Sequence, residues 1–189
     1  MRMLAGRIVA QAPLGDPAAV AELLNALRNV GAGRELAALL DGDPAGKARL
    51  THQSAVTRLL RGLEEAGATD QVRVLATRAA AHGPINDRDQ MWQFAGTLRR
   101  MNANRPLEVF LARVTAEVDL DDPYAVAWLL LVLHDSGADE HVSALLATDP
   151  AARVALADLM AVATLLHALE DTAAAGQVQA LAERAWLCR

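Results

Sequence analysis

Residues Leu120–Leu156 read LDDPYAVAWLLLVLHDSGADEHVSALLATDPAARVAL, and this stretch decides the fold. An Asp-Pro pair opens a run whose apolar residues Val126, Leu129, Leu130 and Leu133 follow the i, i+3, i+4, i+7 spacing of an amphipathic helix. Gly137-Ala138 breaks the run, Val142, Leu145 and Leu146 begin a second apolar set, and Asp149-Pro150 closes it. Near the start of the chain Leu14–Leu27 reads LGDPAAVAELLNAL and leads to a Gly31-Ala32 turn. A block of about 36 residues therefore recurs. One such block cannot bury its own apolar face, so the blocks are expected to stack into a solenoid.

Five copies align at offsets of 35 or 36 residues. The first-helix stripe is Val20, Leu23, Leu24, Leu27; Val56, Leu59, Leu60, Leu63; Met91, Phe94, Ala95, Leu98; Val126, Leu129, Leu130, Leu133; and Val162, Leu165, Leu166, Leu169. A turn is expected at Gly31, Gly67, Asn102, Gly137 and Ala173, mostly residue types that tolerate the left-handed conformation ending a helix. The second helix carries a shorter set: Leu36, Leu39, Leu40; Val72, Leu75, Ala76; Leu107, Phe110, Leu111; Val142, Leu145, Leu146; and Val178, Leu181, Ala182.

Asp16-Pro17 and Asp122-Pro123 place a capping carboxylate before a proline at the first helical position, where no amide hydrogen is needed. Asp43-Pro44 and Asp149-Pro150 imply an extra helical turn between the second helix and the next block. Blocks two and three lack that dipeptide, so their second helices are expected to run longer. Leu4–Leu14 falls in register with Leu75–Ile85, which makes residues 1–14 a half repeat. Repeats over 15–50, 51–85, 86–120, 121–156 and 157–189 complete one elongated, right-handed all-α solenoid domain of about eleven helices. Neither end shows the polar capping repeat that closes a solenoid. A piece of a longer array, or ends that pair with something, is the expectation.

Composition agrees: 53% of the 189 residues are hydrophobic and 3% aromatic, which suits short, closely packed helices rich in Ala, Leu and Val. A net charge of −5 argues against a duplex-binding surface. The single cysteine, Cys188, cannot form an internal disulfide. With no long apolar run and no signal-peptide core, the expected location is the cytoplasm, without a membrane segment.

The Leu120–Leu156 block resembles a repeat found in tandem in large actinobacterial proteins, with the approximate pattern L-D-D-P-x-A-V-A-x-L-L-x-A-L-R-x-A-G-A-x-x-Q-V-x-A-L-L-A-R-D-P-A-A. The resemblance spans nearly the whole chain and is weakest in repeat three, NDRDQMWQFAGTLRRMNANRPLEVF. It implies a sensor or partner-binding array of the kind attached to signalling and NTPase modules, and names no ligand. The architecture is similar to tetratricopeptide and HEAT solenoids, although the tetratricopeptide family's Trp, Gly and Tyr positions are absent.

Outward columns are where function is sought. Tyr124, Trp128 and Leu131 form an i, i+4, i+7 stripe opposite the core, a candidate anchor for a protein or peptide, or else a packing face against a neighbouring block. Trp92 stands in a column otherwise held by Ala and Thr, in an irregular third repeat with Gly96 inside a helix and Pro106 near the next. Arg99, Arg100 and Arg105 are a basic cluster suited to phosphate contact, but their columns continue with Glu64, Glu65, Asp135, Glu170 and Asp171, so no basic track runs along the array. His134, His141 and His167 lack any metal-ligand spacing and read as surface histidines. No catalytic or cofactor motif stands out. The expectation is a non-catalytic scaffold or sensor surface without cofactor, binding a protein or peptide through Tyr124, Trp128, Leu131 and Trp92. Nucleic-acid binding through the arginines and end-to-end self-association are the alternatives.

Overall fold

Each apolar stripe read from the sequence lies on a helix, and each expected turn is left-handed. The computed structural model describes residues 12–117, 119–153, 156 and 158–187. These are all-α: ten helices of eight or more residues and two single turns, with no strand among the described residues. They form two compact units divided between Leu107 and Glu108. Most of the half repeat expected over 1–14, and Cys188, lie outside the described residues.

The first unit holds α1 (Pro17–Asn29), α2 (Gly33–Asp41), α3 (Pro44–Lys47), α4 (Gln53–Glu65), α5 (Thr69–His82) and α6 (Arg88–Arg100). Within it α4 packs against α1, α5 and α6, α2 folds back on α1, and α3 sits on α5. The division between units falls inside α7 (Asn104–Glu117). The second unit continues with α8 (Pro123–Asp135), α9 (Asp139–Leu146), α10 (Pro150–Arg153), α11 (Leu159–Asp171) and α12 (Ala175–Leu187). There α11 packs on α8 and α12, α9 on α8, and α10 on α12.

The turn chemistry is uniform. Gly31, Gly67, Asn102, Gly137 and Ala173 have φ of 66°, 71°, 53°, 68° and 54°. After each, an alanine N–H bonds the carbonyl five residues back: Ala32 to Leu27, Ala68 to Leu63, Ala103 to Leu98, Ala138 to Leu133 and Ala174 to Leu169, all at 2.9 Å. This closure satisfies a carbonyl that a helix end leaves orphaned, and the left-handed residue makes it reachable. Asn102 and Ala173 adopt that conformation without glycine's freedom.

Helix starts follow the capping logic at most positions. Asp16, Asp122 and Asp158 accept N–H bonds in the first turns of α1, α8 and α11, and Asp87 does so for α6. His52 precedes α4 without a side-chain cap. Asp43-Pro44 and Asp149-Pro150 open the single turns α3 and α10, as their dipeptides predict. Asp43 and Asp149 differ from Asp16 in backbone, however, with φ of 54° and 53° in place of an extended conformation. Where the inserts are missing, α5 and α7 run to 14 residues, against 9 in α2 and 8 in α9.

A polar clamp that the apolar pattern does not reveal fixes each insert. Gln71 on α5 accepts the Ala45 N–H through Oε1 at 3.0 Å and donates through Nε2 to the Leu40 carbonyl at 3.1 Å. Arg78, two turns further along α5, donates to the carbonyls of Ala45 and Ala48. In the second unit, 106 positions later, Gln177 accepts from Ala151 N–H at 3.1 Å and donates to the Leu146 carbonyl at 3.3 Å. Arg184 donates to the Ala151 carbonyl. The Leu40 and Leu146 carbonyls also accept from the Asp43 and Asp149 N–H at 3.0 and 3.1 Å, whereas the early N–H groups of a one-turn insert have no partner within it, and a side chain from the next block supplies one.

The core is the first-helix stripe. Val20, Leu24 and Leu27, the four positions of α4, those of α6 and α8, and Val162, Leu165 and Leu169 are buried. Leu23 in the first block and Leu166 in the last are half-buried. The second helices contribute less: Leu39, Leu75, Ala76, Leu107, Phe110, Leu111, Val142, Leu145 and Leu181 are buried, whereas Leu36, Leu40, Val72, Leu146 and Val178 are half-buried. Ala182, expected in the core, is exposed. Helices α1 and α4 come close at Gly62, where a Cβ would meet Leu24 Cδ1 at 3.4 Å and Ala21 Cα at 3.9 Å.

Candidate binding surfaces

Tyr124, Trp128 and Leu131 share α8, and all three are half-buried. Of the two readings of this stripe, partner anchor or packing face, partial burial leaves part of it available for contact. The reason for the burial lies in α8 itself, PYAVAWLLLVLHD, of which Pro123, Val126, Ala127, Leu129, Leu130, Val132 and Leu133 are buried. A helix apolar nearly all round has little surface left for solvent. The indole Nε1 of Trp128 is buried and has no hydrogen-bond partner among the described residues. A buried indole N–H normally finds an acceptor, so this one is an energetic debit at the centre of the stripe.

Trp92 is 41% exposed on α6. Gly96, one turn further on, is exposed, with nothing within 4 Å of where a Cβ would stand. Arg99 and Arg100 follow in the last turn of α6, and Arg105 in the first turn of α7; all three are exposed and form no ion pair among the described residues. The outer face of α6 thus offers an indole beside a flat step, with guanidinium groups toward its C-terminal end. At its N-terminal end the Gln90 backbone N–H, and then the Gln90 side-chain amide, hold the Asp87 carboxyl below the usual carboxylate range.

The sequence pattern missed Trp186 on α12, which is 74% exposed. The position 106 residues earlier is Ala80, fully buried, so a bulky aromatic stands where the first unit has a small core residue. Comparing those two positions directly is the signal that would have found it. Leu159 and Met160, in the first turn of α11, are also exposed. Gln53 was likewise unforeseen: it is buried in the first turn of α4, and neither amide atom has a hydrogen-bond partner.

His134 and His167 are exposed and His141 half-buried. His167 Nε2 lies 3.6 Å from Asp171 Oδ2. Among the described residues no group of three or more His, Cys, Asp or Glu side chains is placed to hold a metal ion. No helix among them is long and apolar enough to cross a membrane.

A cleft of about 400 Å³ opens in the first unit where the N-terminal turns of α1 and α4 meet. Its polar lining is Asp16, Arg49, Thr51, His52, Ser54 and Arg58. The Arg49 N–H bonds the Gly15 carbonyl at 3.0 Å, tying the segment before α4 to the segment before α1. Ser54 N–H donates to Gln90 Oε1 of α6 at 3.1 Å. Comparison with known proteins finds no matching family model, no similar curated protein and no similar solved structure.

Proposed function

We infer that the chain is a non-catalytic helical-repeat scaffold that binds a protein or peptide, in the manner implied by its resemblance to the tandem arrays of large actinobacterial proteins. The observation that carries this reading is Trp92, a large aromatic held 41% exposed on a regular helix beside an open glycine step. Aromatic side chains presented on rigid elements are the usual anchors of protein interfaces. Tyr124, Trp128 and Leu131 form a second, half-buried contact region on α8, the less accessible of the two. A cytoplasmic setting suits this role, and end-to-end self-association is the alternative use of the same architecture.

The test is site-specific photo-crosslinking in the source cell, with a photoreactive phenylalanine at 92 and, separately, at the exposed position 61 of α4. A single partner crosslinked from 92, absent from 61, and lost from pull-downs of Trp92→Ala supports the scaffold reading. Retention of that partner by both Trp92→Ala and the Tyr124→Ala/Trp128→Ala pair sinks it. Nucleic-acid binding is favoured by one observation, the unpaired Arg99, Arg100 and Arg105 beside an exposed indole, the combination that single-strand binders use. Affinity for an oligonucleotide that falls steeply with salt separates this from peptide binding.

A further inference from the structure

The cleft between the starts of α1 and α4 belongs to none of the surfaces above. It is an open depression of about 400 Å³, and its polar side chains Asp16, Arg49, Thr51, His52, Ser54 and Arg58 are all exposed, as suits a site for a charged group approached from solvent. Two arginines from different elements line it: Arg49 in the segment before α4, and Arg58 one turn beyond Ser54 on α4 itself. Neither forms an ion pair among the described residues. Arg28, Arg73, Arg113 and Arg153 pair with carboxylates and Arg78 is taken up by main-chain carbonyls, while Arg99, Arg100 and Arg105, like the cleft arginines, form no ion pair among the described residues.

The lining also holds one carboxylate, Asp16, whose Oδ1 accepts from Ala18 N–H at 3.0 Å and Ala19 N–H at 3.2 Å; its charge remains and is outweighed by the two guanidinium groups. Thr51 and Ser54 add hydroxyl donors and His52 its ring nitrogens. The corresponding positions in the second unit, 106 residues later, are Ala155, Asp158 and Thr164 in place of Arg49, His52 and Arg58. The cations are thus a property of this cleft and not of the block. Guanidinium forks with hydroxyl donors match the oxygens of a phosphate, and the volume leaves room for an organic body beside it.

We propose that this cleft binds the phosphate monoester of a small molecule, with Arg49 and Arg58 holding the phosphate and Ala18 and Ala55 bordering the organic part. The experiment is NMR titration of the full isotope-labelled chain at low salt with inorganic phosphate, ribose 5-phosphate and O-phosphoserine. Uncharged ribose serves as a control. Ribose 5-phosphate is expected to give saturable shifts at the amides of Thr51 and Ser54 and at the Arg49 and Arg58 Nε–H signals, with tighter binding than inorganic phosphate. Arg49→Gln and Arg58→Gln, both with parental helicity, should each weaken it about tenfold, while Arg34→Gln, at an exposed position of α2, leaves it unchanged. Absence of saturable shifts at these residues with every probe, or parental affinity in both arginine variants, overturns the proposal. Inorganic phosphate binding as tightly as ribose 5-phosphate removes the organic part of it. Preference for O-phosphoserine reassigns the cleft to phosphorylated protein.

Discussion

Replacing Gln71 by alanine tests whether the polar clamp on the first insert contributes to stability. The substitution removes both bonds at once, leaving the Ala45 N–H and the Leu40 carbonyl without their side-chain partner. A buried backbone group stripped of its partner costs about 1–3 kcal/mol. Ala45 is fully buried while Gln71, which covers it, is half-buried. The Leu40 carbonyl keeps the Asp43 N–H at 3.0 Å, so the Ala45 N–H is the one group bared and the loss is about 1–2 kcal/mol. For a chain of this size that is a fall in Tm of about 2–8 °C, or about 0.5–1 M in urea midpoint at an m-value near 2 kcal/mol/M. Urea unfolding followed by circular dichroism at 222 nm measures it. Arg78→Ala should couple to it, because both side chains hold Ala45, and the double variant should fall short of the sum by about 0.5 kcal/mol or more. Gln177→Ala should reproduce the loss in the second unit. If Gln71→Ala lies within about 0.5 kcal/mol of the parent, as ordinary surface substitutions do, the clamp is a geometric coincidence.

Four further outcomes are expected. Ala173→Gly relieves a left-handed alanine and should stabilise the chain by about 1 kcal/mol, whereas Gly137→Ala should cost a similar amount; their urea midpoints must move in opposite directions. Phe94→Ala empties a fully buried site on α6 and should cost about 3–5 kcal/mol, measurable as loss of cooperative unfolding at 25 °C. Gln53→Leu removes two unpartnered buried amide atoms and should raise stability by about 1 kcal/mol; a lower urea midpoint would mean those atoms are satisfied in solution. The Asp87 carboxyl carbon should titrate by NMR with a midpoint below 3.8. Because the folded value is depressed, its stabilising effect is fully present above the unfolded midpoint and is lost as pH falls through the folded one.

Much of the local structure was legible because helix formation and turn chemistry are local. The i, i+3, i+4, i+7 stripes place Leu59, Leu63, Leu129 and Leu133 in the core, and the Gly, Asn and Ala positions become left-handed turns. The Asp-Pro dipeptides announce both inserts, and their absence from blocks two and three foretells the longer α5 and α7. Gln71 and Arg78 escaped notice because a polar residue at a single position of an amphipathic helix carries no sign of what it faces. Their role depends on an insert some thirty residues earlier in the chain. Trp128 illustrates the same limit, since spacing puts it on the outward face and only packing determines how much of that face stays open. The phosphate cleft was hidden for another reason: Arg49 and Arg58 lie nine residues apart on different elements, and no short motif joins them.

The clamps on α3 and α10 bond only main-chain atoms of the inserts they hold. Nothing in those bonds distinguishes PAGK in the first insert from PAAR in the second, and the two are held by corresponding Gln and Arg residues. The clamp therefore places no demand on the side chains of Lys47, Ala152 and Arg153, whereas Gly46 is held by its own surroundings, since a Cβ there would collide with Asp43 Oδ2. Lys47, Ala152 and Arg153 are exposed and can diverge without breaking the clamp bonds, at the cost only of the Lys47 bond to the Gly42 carbonyl and the Arg153 pair with Asp121, so long as the glutamine and arginine remain.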